Sequence, residues 1–126
     1  MTSIHGALRN LLFADNMVMS LTSTRIYPLR LPLECPLSAI SIHKISNPID
    51  HVTGFATPRY QFSCWSHTYA QVQQLSDAVI DCLNRYKGVV HGNPIKQIVY
   101  LESHDALEDD SGIYHVPIDF KIIHMR

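Results

Sequence analysis

The chain has 126 residues, of which 46% are hydrophobic and only 17% are charged, and its formal net charge is -1. This length predicts a single domain over residues 1–126 that can fold without a disulfide or a structural metal. The near-zero charge argues against a nucleic-acid binder that grips phosphates and against a basic membrane-surface helix. No apolar run is long enough to cross a membrane, and the first residues lack the basic and apolar regions of a signal peptide.

The first third of the chain divides into a helix and an irregular apolar segment. Apolar periodicity predicts a helix over residues 3–19, capped by Thr2 or Ser3. Asp15-Asn16 is an alternative end for this helix, with residues 17–19 as a further turn. Residues 20–38 have a proline at every fourth position from 28 to 36, which excludes a long helix or a central strand. Because this segment is still apolar, it must lie against another apolar surface. Either it covers its own core or it packs on another subunit.

The rest of the chain predicts four strands and one further helix. The helix spans residues 68–87, because Thr68 and Gln71 have the capping-box spacing and Gly88 can stop it. We predict an α+β fold in which two helices cover one face of a mainly antiparallel four-stranded sheet, in the order α-β-β-α-β-β. Pro117 places the last strand at an edge or at a bulge. The predicted strands span residues 39–46, 58–66, 95–102 and 113–124, with a long loop at 47–57.

Eight histidines and three cysteines suggest a metal site at first, but none of their spacings is typical of metal ligands. Alternation places Cys64 in the core, Cys82 lies on the apolar face of its helix, and Cys35 has no evident catalytic partner. The sequence also has no glycine-rich phosphate loop. We therefore predict no metal, no cofactor and no catalytic activity.

Charge is distributed unevenly along the chain. Residues 1–101 have eight basic and five acidic residues, a balance of +3, whereas residues 102–126 have two and six, a balance of -4. This acidic segment is interpreted as a solvated hairpin tip, or as a patch that meets a basic partner or faces DNA without binding it. Five of its acids occur within nine residues: Glu102, Asp105, Glu108, Asp109 and Asp110.

Alternation also predicts an apolar sheet face that the helices do not cover. Trp65, Ile98 and Tyr100 are expected on this face. Such a face is larger than a monomer needs, so it is covered either by the apolar segment at 20–38 or by another subunit.

Several stretches resemble the tail-completion proteins of long-tailed bacteriophages and related gene-transfer particles. The N-terminal stretches are Ala7-Leu8-x-x-Leu11-Leu12 with Asp15, and Arg25-Ile26-Tyr27-Pro28. Further stretches are Ser63-Cys64-Trp65-Ser66 with Tyr69-Ala70 and Leu75-x-x-Ala78-Val79, and Gly112-Ile113-Tyr114-His115-Val116-Pro117-Ile118-Asp119-Phe120. Their order extends across nearly the whole chain.

The resemblance implies a structural virion protein with helices packed on a β-sheet. Such proteins assemble in the bacterial cytoplasm as a homo-oligomeric ring, commonly of six subunits, at the head-proximal end of the tail. The ring stops growth of the tail tube protein and docks the head connector, and DNA passes through without specific binding. The resemblance implies no catalytic residues.

Two sets of residues are therefore candidates for contacts. The acidic residues are candidates for the ring lumen or for docking, and Asp119 is expected to pair with Arg25 or Lys44. The alternatives are a head-completion protein at the neck of the same particle and a small metal-dependent host protein or enzyme. The candidates for subunit or partner contacts are Tyr27, Leu29, Leu31, Phe55, Trp65 and Tyr100.

Overall fold

The computed structural model describes residues 4–32, 35–90, 92–108 and 112–125, without the side chains of Asn93 and Glu108. Within these residues the chain forms three helices and one mixed sheet of eight strands. The helices are α1 (Ile4–Phe13), α2 (Asn16–Thr22) and α3 (Tyr69–Leu83). The strands are β1 (Ile26–Pro28), β2 (Ala39–Ser46), β3 (Phe55–Ala56), β4 (Arg59–Ser66), β5 (Gly88–Val90), β6 (Asn93–Ser103), β7 (Ala106–Glu108) and β8 (Ile113–Met125).

The predicted fold of two helices on a four-stranded sheet is therefore wrong. The four predicted strands match β2, β4, β6 and β8, which are the long strands of the sheet. The four strands that were not predicted are two or three residues long. Strands this short show no alternation of their own, and pairing with a longer neighbour defines them.

The sheet has the strand order β1-β2-β4-β8-β6-β5, with β3 and β7 pairing with opposite ends of β8. Only β1 and β2 run parallel among the described pairs. The last strand in the chain thus lies in the middle of the sheet. None of the helices in the described residues is long and apolar enough to cross a membrane.

The predicted N-terminal helix is two helices. α1 ends at Phe13, and Asp15 caps α2 by accepting a hydrogen bond from the backbone N–H of Val18 at 3.0 Å. The predicted caps, Thr2 and Ser3, lie outside the described residues.

The second predicted helix begins as expected but ends earlier. The Thr68 hydroxyl accepts a hydrogen bond from the backbone N–H of Gln71 at 3.2 Å, which confirms the predicted cap of α3. α3 ends at Leu83 because residues 85 and 86 bond to the backbone of Ile98 in β6. Gly88 therefore belongs to β5 instead of closing the helix.

The helices cover one face of the sheet and enclose the core with it. Phe62 and Phe120 form an edge-to-face ring pair with centroids 5.5 Å apart, and both are fully buried. α1 and α2 bury Leu8, Leu12 and Val18 against the same core, and α3 adds Val72, Leu75, Val79 and Leu83.

Pro117 lies in a central strand and not at an edge of the sheet. On one side of β8 it is paired with Ser63 of β4. On the other side, β6 makes its last pair at Ile118 and β7 makes its first at His115. The proline thus lies opposite the gap between β6 and β7, where a missing N–H donor costs little.

Candidate interface surfaces

The face of the sheet opposite the helices is mostly polar. Cross-strand register puts Ser41, Ser63 and Pro117 at one level of this open face. Ser41 and Ser63 are nevertheless only 3% exposed, so another part of the chain shields this face from solvent.

The shielding segment is residues 29–38, here called the proline arm; residues 33 and 34 lie outside the described part. At its start, the backbone N–H of Leu29 donates to the Ile42 carbonyl at 2.7 Å. At its end, the Arg25 Nε donates to the Ser38 carbonyl at 2.9 Å, and the Ser38 and Ser66 hydroxyls lie 2.5 Å apart. Both ends are therefore fastened to the sheet, and the predicted apolar segment packs partly on its own domain.

A groove of about 540 Å³ lies between the proline arm and the open face. This volume falls within the range of about 300–1,000 Å³ that is typical of ligand pockets in proteins. The arm lines the groove with Leu29, Arg30, Leu31, Pro32, Cys35 and Leu37, and the sheet lines it with Ser41, His43, Gln61, Ser63, Trp65, Ile113 and His115.

Trp65 is the central aromatic residue of the groove. Its ring stacks on the His115 ring, with centroids 3.8 Å apart and the planes within 2° of parallel. Its indole Nε1 donates to the Ser41 hydroxyl at 3.3 Å. Nearby, the buried Nδ1 of His43 has no hydrogen-bond partner among the described residues. The groove thus combines a fixed aromatic surface with an unused polar atom.

The other contact candidates lie in different places. Tyr27 is half-buried on β1, Leu29 is 70% exposed, and Leu31 is half-buried in the arm. Phe55 is half-buried on β3, with the Lys96 ammonium 4.8 Å from its ring centroid. Their role in contacts stays a prediction.

Tyr100 lies on the face covered by the helices, so its predicted place on the open face is wrong. It is paired with Phe120, and the two rings are 5.9 Å apart in the core. Ile98 is fully buried on the same side. The register shifts between Ile95 and Gln97, where one extra residue reverses the alternation that the sequence suggests.

The acidic residues do not form one free patch. Glu102 accepts a hydrogen bond from Arg59 at 3.1 Å, and Asp105 accepts from the Tyr69 hydroxyl at 2.9 Å and from Gln73 at 2.7 Å. The Asp105 carboxylate raises the pKa of Tyr69 by accepting a hydrogen bond from its hydroxyl and by its negative charge. Asp109 and Asp110 lie outside the described residues, and of Glu108 only the backbone is described.

Asp119 pairs with Arg59, and not with Arg25 or Lys44 as predicted. The Arg59 Nε donates to Asp119 at 3.1 Å, a second guanidinium nitrogen forms an ion pair with it, and Gln61 donates at 3.0 Å. Asp119 is 8% exposed, and these bonds compensate for its burial. The hydrogen bonds and charge of Asp119 are also the main reason that the pKa of Arg59 is raised.

Sequence reasoning did not single out Arg59 or His115 as candidate functional residues. The alternation of β4 and β8 places both on the polar side, so their face was readable from sequence. Their partners, Asp119 and Trp65, are distant in sequence, and nothing local identifies them.

Neither the buried thiol of Cys64 nor the partly buried thiol of Cys82 has the properties of a nucleophile. Burial raises the pKa of Cys64 far above that of a free thiol, and burial with Asp15 nearby raises the pKa of Cys82 to about 12. Both thiols stay protonated and unreactive at neutral pH. Among the described residues, no three His, Cys, Asp or Glu side chains lie close enough together to hold a metal ion.

Comparison with known proteins gives a shared fold. A chain in the solved structure titled "Virion of native gene transfer agent (GTA) particle" superposes with a TM-score of 0.77, covering 98% of this chain and 96% of that chain. The two sequences are 18% identical. No protein-family model and no curated protein matches the sequence. This chain thus shares its fold, over nearly its whole length, with a chain of that gene-transfer-agent particle.

Proposed function

We propose that this protein is a structural subunit of a phage-like virion. The observation that supports this most is the fold match to a gene-transfer-agent virion chain over nearly the whole of both chains. The coverage matters here, because nearly all of the given sequence contributes to the likeness, and not one segment of it. The resemblance of the sequence to tail-completion proteins, drawn from separate residues, points to the same class of particle.

Within such a particle, we propose that the protein completes the tail. Copies form a ring, hexameric by the resemblance, on the last ring of the tail tube protein. Tube growth stops because the ring covers the surface to which the next tube subunit would bind. The opposite face of the ring meets the head connector, and DNA passes through the centre. The action is geometric and needs no catalytic residue.

The open-face groove is the surface proposed for contact with neighbouring copies. Its exposed arm residue Leu29 and its fixed ring Trp65 have the character of interface anchors, because both offer apolar area at low conformational cost. Tyr27, Leu31 and Phe55 are proposed as supporting contacts. Of the acidic residues, Glu108, Asp109 and Asp110 are proposed to face the DNA channel.

The decisive experiment is electron microscopy of particles assembled without this protein. Tails of uncontrolled length together with unattached heads would support the terminator role. Tails of normal length with leaking heads would assign the protein to the neck instead. Normal, joined particles would refute a structural role altogether.

The groove and the acidic residues have their own tests. Leu29→Asp should reduce the fraction of joined particles, whereas the matched control Val89→Asp, at 67% exposure on β5, should not. Equal effects of the two changes would contradict the groove assignment. Replacing Glu108, Asp109 and Asp110 with lysine should impair DNA passage or head joining. If both DNA passage and head joining stay intact, the assignment of these residues to the DNA channel is refuted.

A further inference from the structure

Three basic side chains lie close together where His5 of α1 packs on Tyr60 of β4. His5 and Arg9 are one helical turn apart on α1 and share a face. The His5 ring packs on Tyr60, with centroids 6.5 Å apart. Tyr60 is the cross-strand partner of Lys44, so Lys44 emerges beside the same ring. His5, Arg9 and Lys44 are here called the basic cluster.

The basic cluster has no counterion in the described part of the chain. Both ion pairs found there involve Arg59, which belongs to the open face. The Arg9 Nε is buried without a hydrogen-bond partner, and its guanidinium lies 4.9 Å from the Phe13 ring centroid. Burial, Arg9 and Lys44 together lower the pKa of His5, consistent with like charges that face each other without an anion. Because no carboxylate neutralises the basic cluster among the described residues, its charge is left to be matched by an anion on another molecule.

Asp105 is the complementary group, and it lies beyond β4 and β8 in the sheet order. Two neutral donors of α3, Tyr69 and Gln73, hold its carboxylate, and no cation pairs with it among the described residues. The carboxylate is therefore exposed, oriented and not neutralised. It also lies on the helix side of the sheet, as the basic cluster does.

The two groups cannot meet within one chain. Lys44 lies on β2, and Asp105 follows β6. In the sheet order, β4 and β8 separate these strands, a distance of roughly 14 Å at the usual strand spacing. A lysine side chain does not span that distance. The two groups can meet only between different copies, in a head-to-tail contact of the kind that closes rings.

We propose that the basic cluster of one copy receives the Asp105 carboxylate of the next copy around the ring. This inference rests on the proposed ring assembly and identifies a charged contact within it. The contact orients neighbours, because only a head-to-tail arrangement brings the cation and the carboxylate together.

Reciprocal charge reversal tests the contact. Lys44→Glu and Asp105→Lys should each lower the fraction of joined particles by about tenfold or more, because each places like charges opposite one another. Co-expression of the two variants should restore joining, since an alternating ring again pairs opposite charges at every contact. A single chain that carries both Lys44→Glu and Asp105→Lys should also form joined particles, because every contact again pairs opposite charges. Lys87→Glu, on the exposed loop after α3, changes the net charge equally and should have no effect.

Each outcome decides the proposal. Failure of both single variants with rescue by co-expression supports it. If Lys44→Glu lowers the fraction of joined particles and co-expression with Asp105→Lys does not restore it, the proposal is overturned. That result would point to nucleic-acid phosphates as the anion. Full joining by both single variants would also overturn it. Circular dichroism of each purified variant verifies folding, so that misfolding is not counted as lost contact. The charge-reversal experiment can contradict this contact while particles made without the protein are still abnormal. In that case the proposed function stands, and only the contact is rejected.

Discussion

Replacing Trp65 with alanine measures how much its stack and hydrogen bond stabilise the groove. The change removes the ring stacked on His115, a pair worth about 0.5–1.5 kcal/mol. It also removes the hydrogen bond to the buried Ser41 hydroxyl, which contributes about 0.5–1.5 kcal/mol. The free energy of unfolding should therefore fall by about 1–3 kcal/mol, before any further loss of indole burial.

The assay is urea unfolding followed by circular dichroism, at one protein concentration, with thermal melting beside it. A chain of this length has an unfolding entropy near 0.26 kcal/mol per kelvin, so the melting temperature should fall by about 4–12 °C. Trp65→Phe keeps a stacked ring and loses only the hydrogen bond, so it should cost about 0.5–1.5 kcal/mol. Ser41→Ala in the Trp65→Phe background should add little, because the bond is already absent. A loss below about 0.5 kcal/mol for Trp65→Ala would refute the reasoning, as would equal losses for alanine and phenylalanine.

Other predictions concern the cap of α3, the thiols and the pH response. Thr68→Ala should destabilise the protein by about 1 kcal/mol in urea unfolding, whereas Thr68→Ser should be close to neutral. A thiol reagent at pH 8 should modify Cys35 quickly in the native protein and reach Cys64 and Cys82 only after unfolding, because burial raises the pKa of both. The lowered pKa of His5 means that the unfolded chain binds more protons, so its contribution to stability is complete above pH 6.5 and is lost as the pH falls through the folded-state pKa. His5→Gln should therefore lose less stability than the wild type between pH 7 and pH 5, and an equal loss would contradict this.

The long elements could be predicted because each has its own periodicity. α3 shows a helical stripe and a cap at Thr68, and β4 shows strict alternation from Tyr60 to Cys64. The break at Asp15 was harder to place, because apolar residues continue on both sides of it. The Asp15 side chain fixes the start of α2 at this point by accepting a hydrogen bond from the backbone of Val18.

The site could be predicted only in part, because it depends on pairings that the sequence does not display. Trp65 was placed on the correct face, since β4 is regular up to its end. Tyr100 was placed on the wrong face because β6 contains irregularities that invert its alternation. The ion pair of Arg59 with Asp119 joins residues 60 positions apart. The sequence around Arg59 does not distinguish it from the other basic residues of the chain.

The place of β8 in the sheet has a consequence for synthesis. Every other strand leaves the ribosome before β8, yet β8 pairs with β3, β4, β6 and β7. Until residues 113–125 emerge, β4 and β6 have no central partner and leave backbone edges open. The sheet can therefore close only after residues 113–125 have emerged, and before that point nascent chains on neighbouring ribosomes expose unpaired strand edges to one another. Ribosome-stalled chains that end before residue 113 should be digested by protease, and chains that expose residue 125 should resist it.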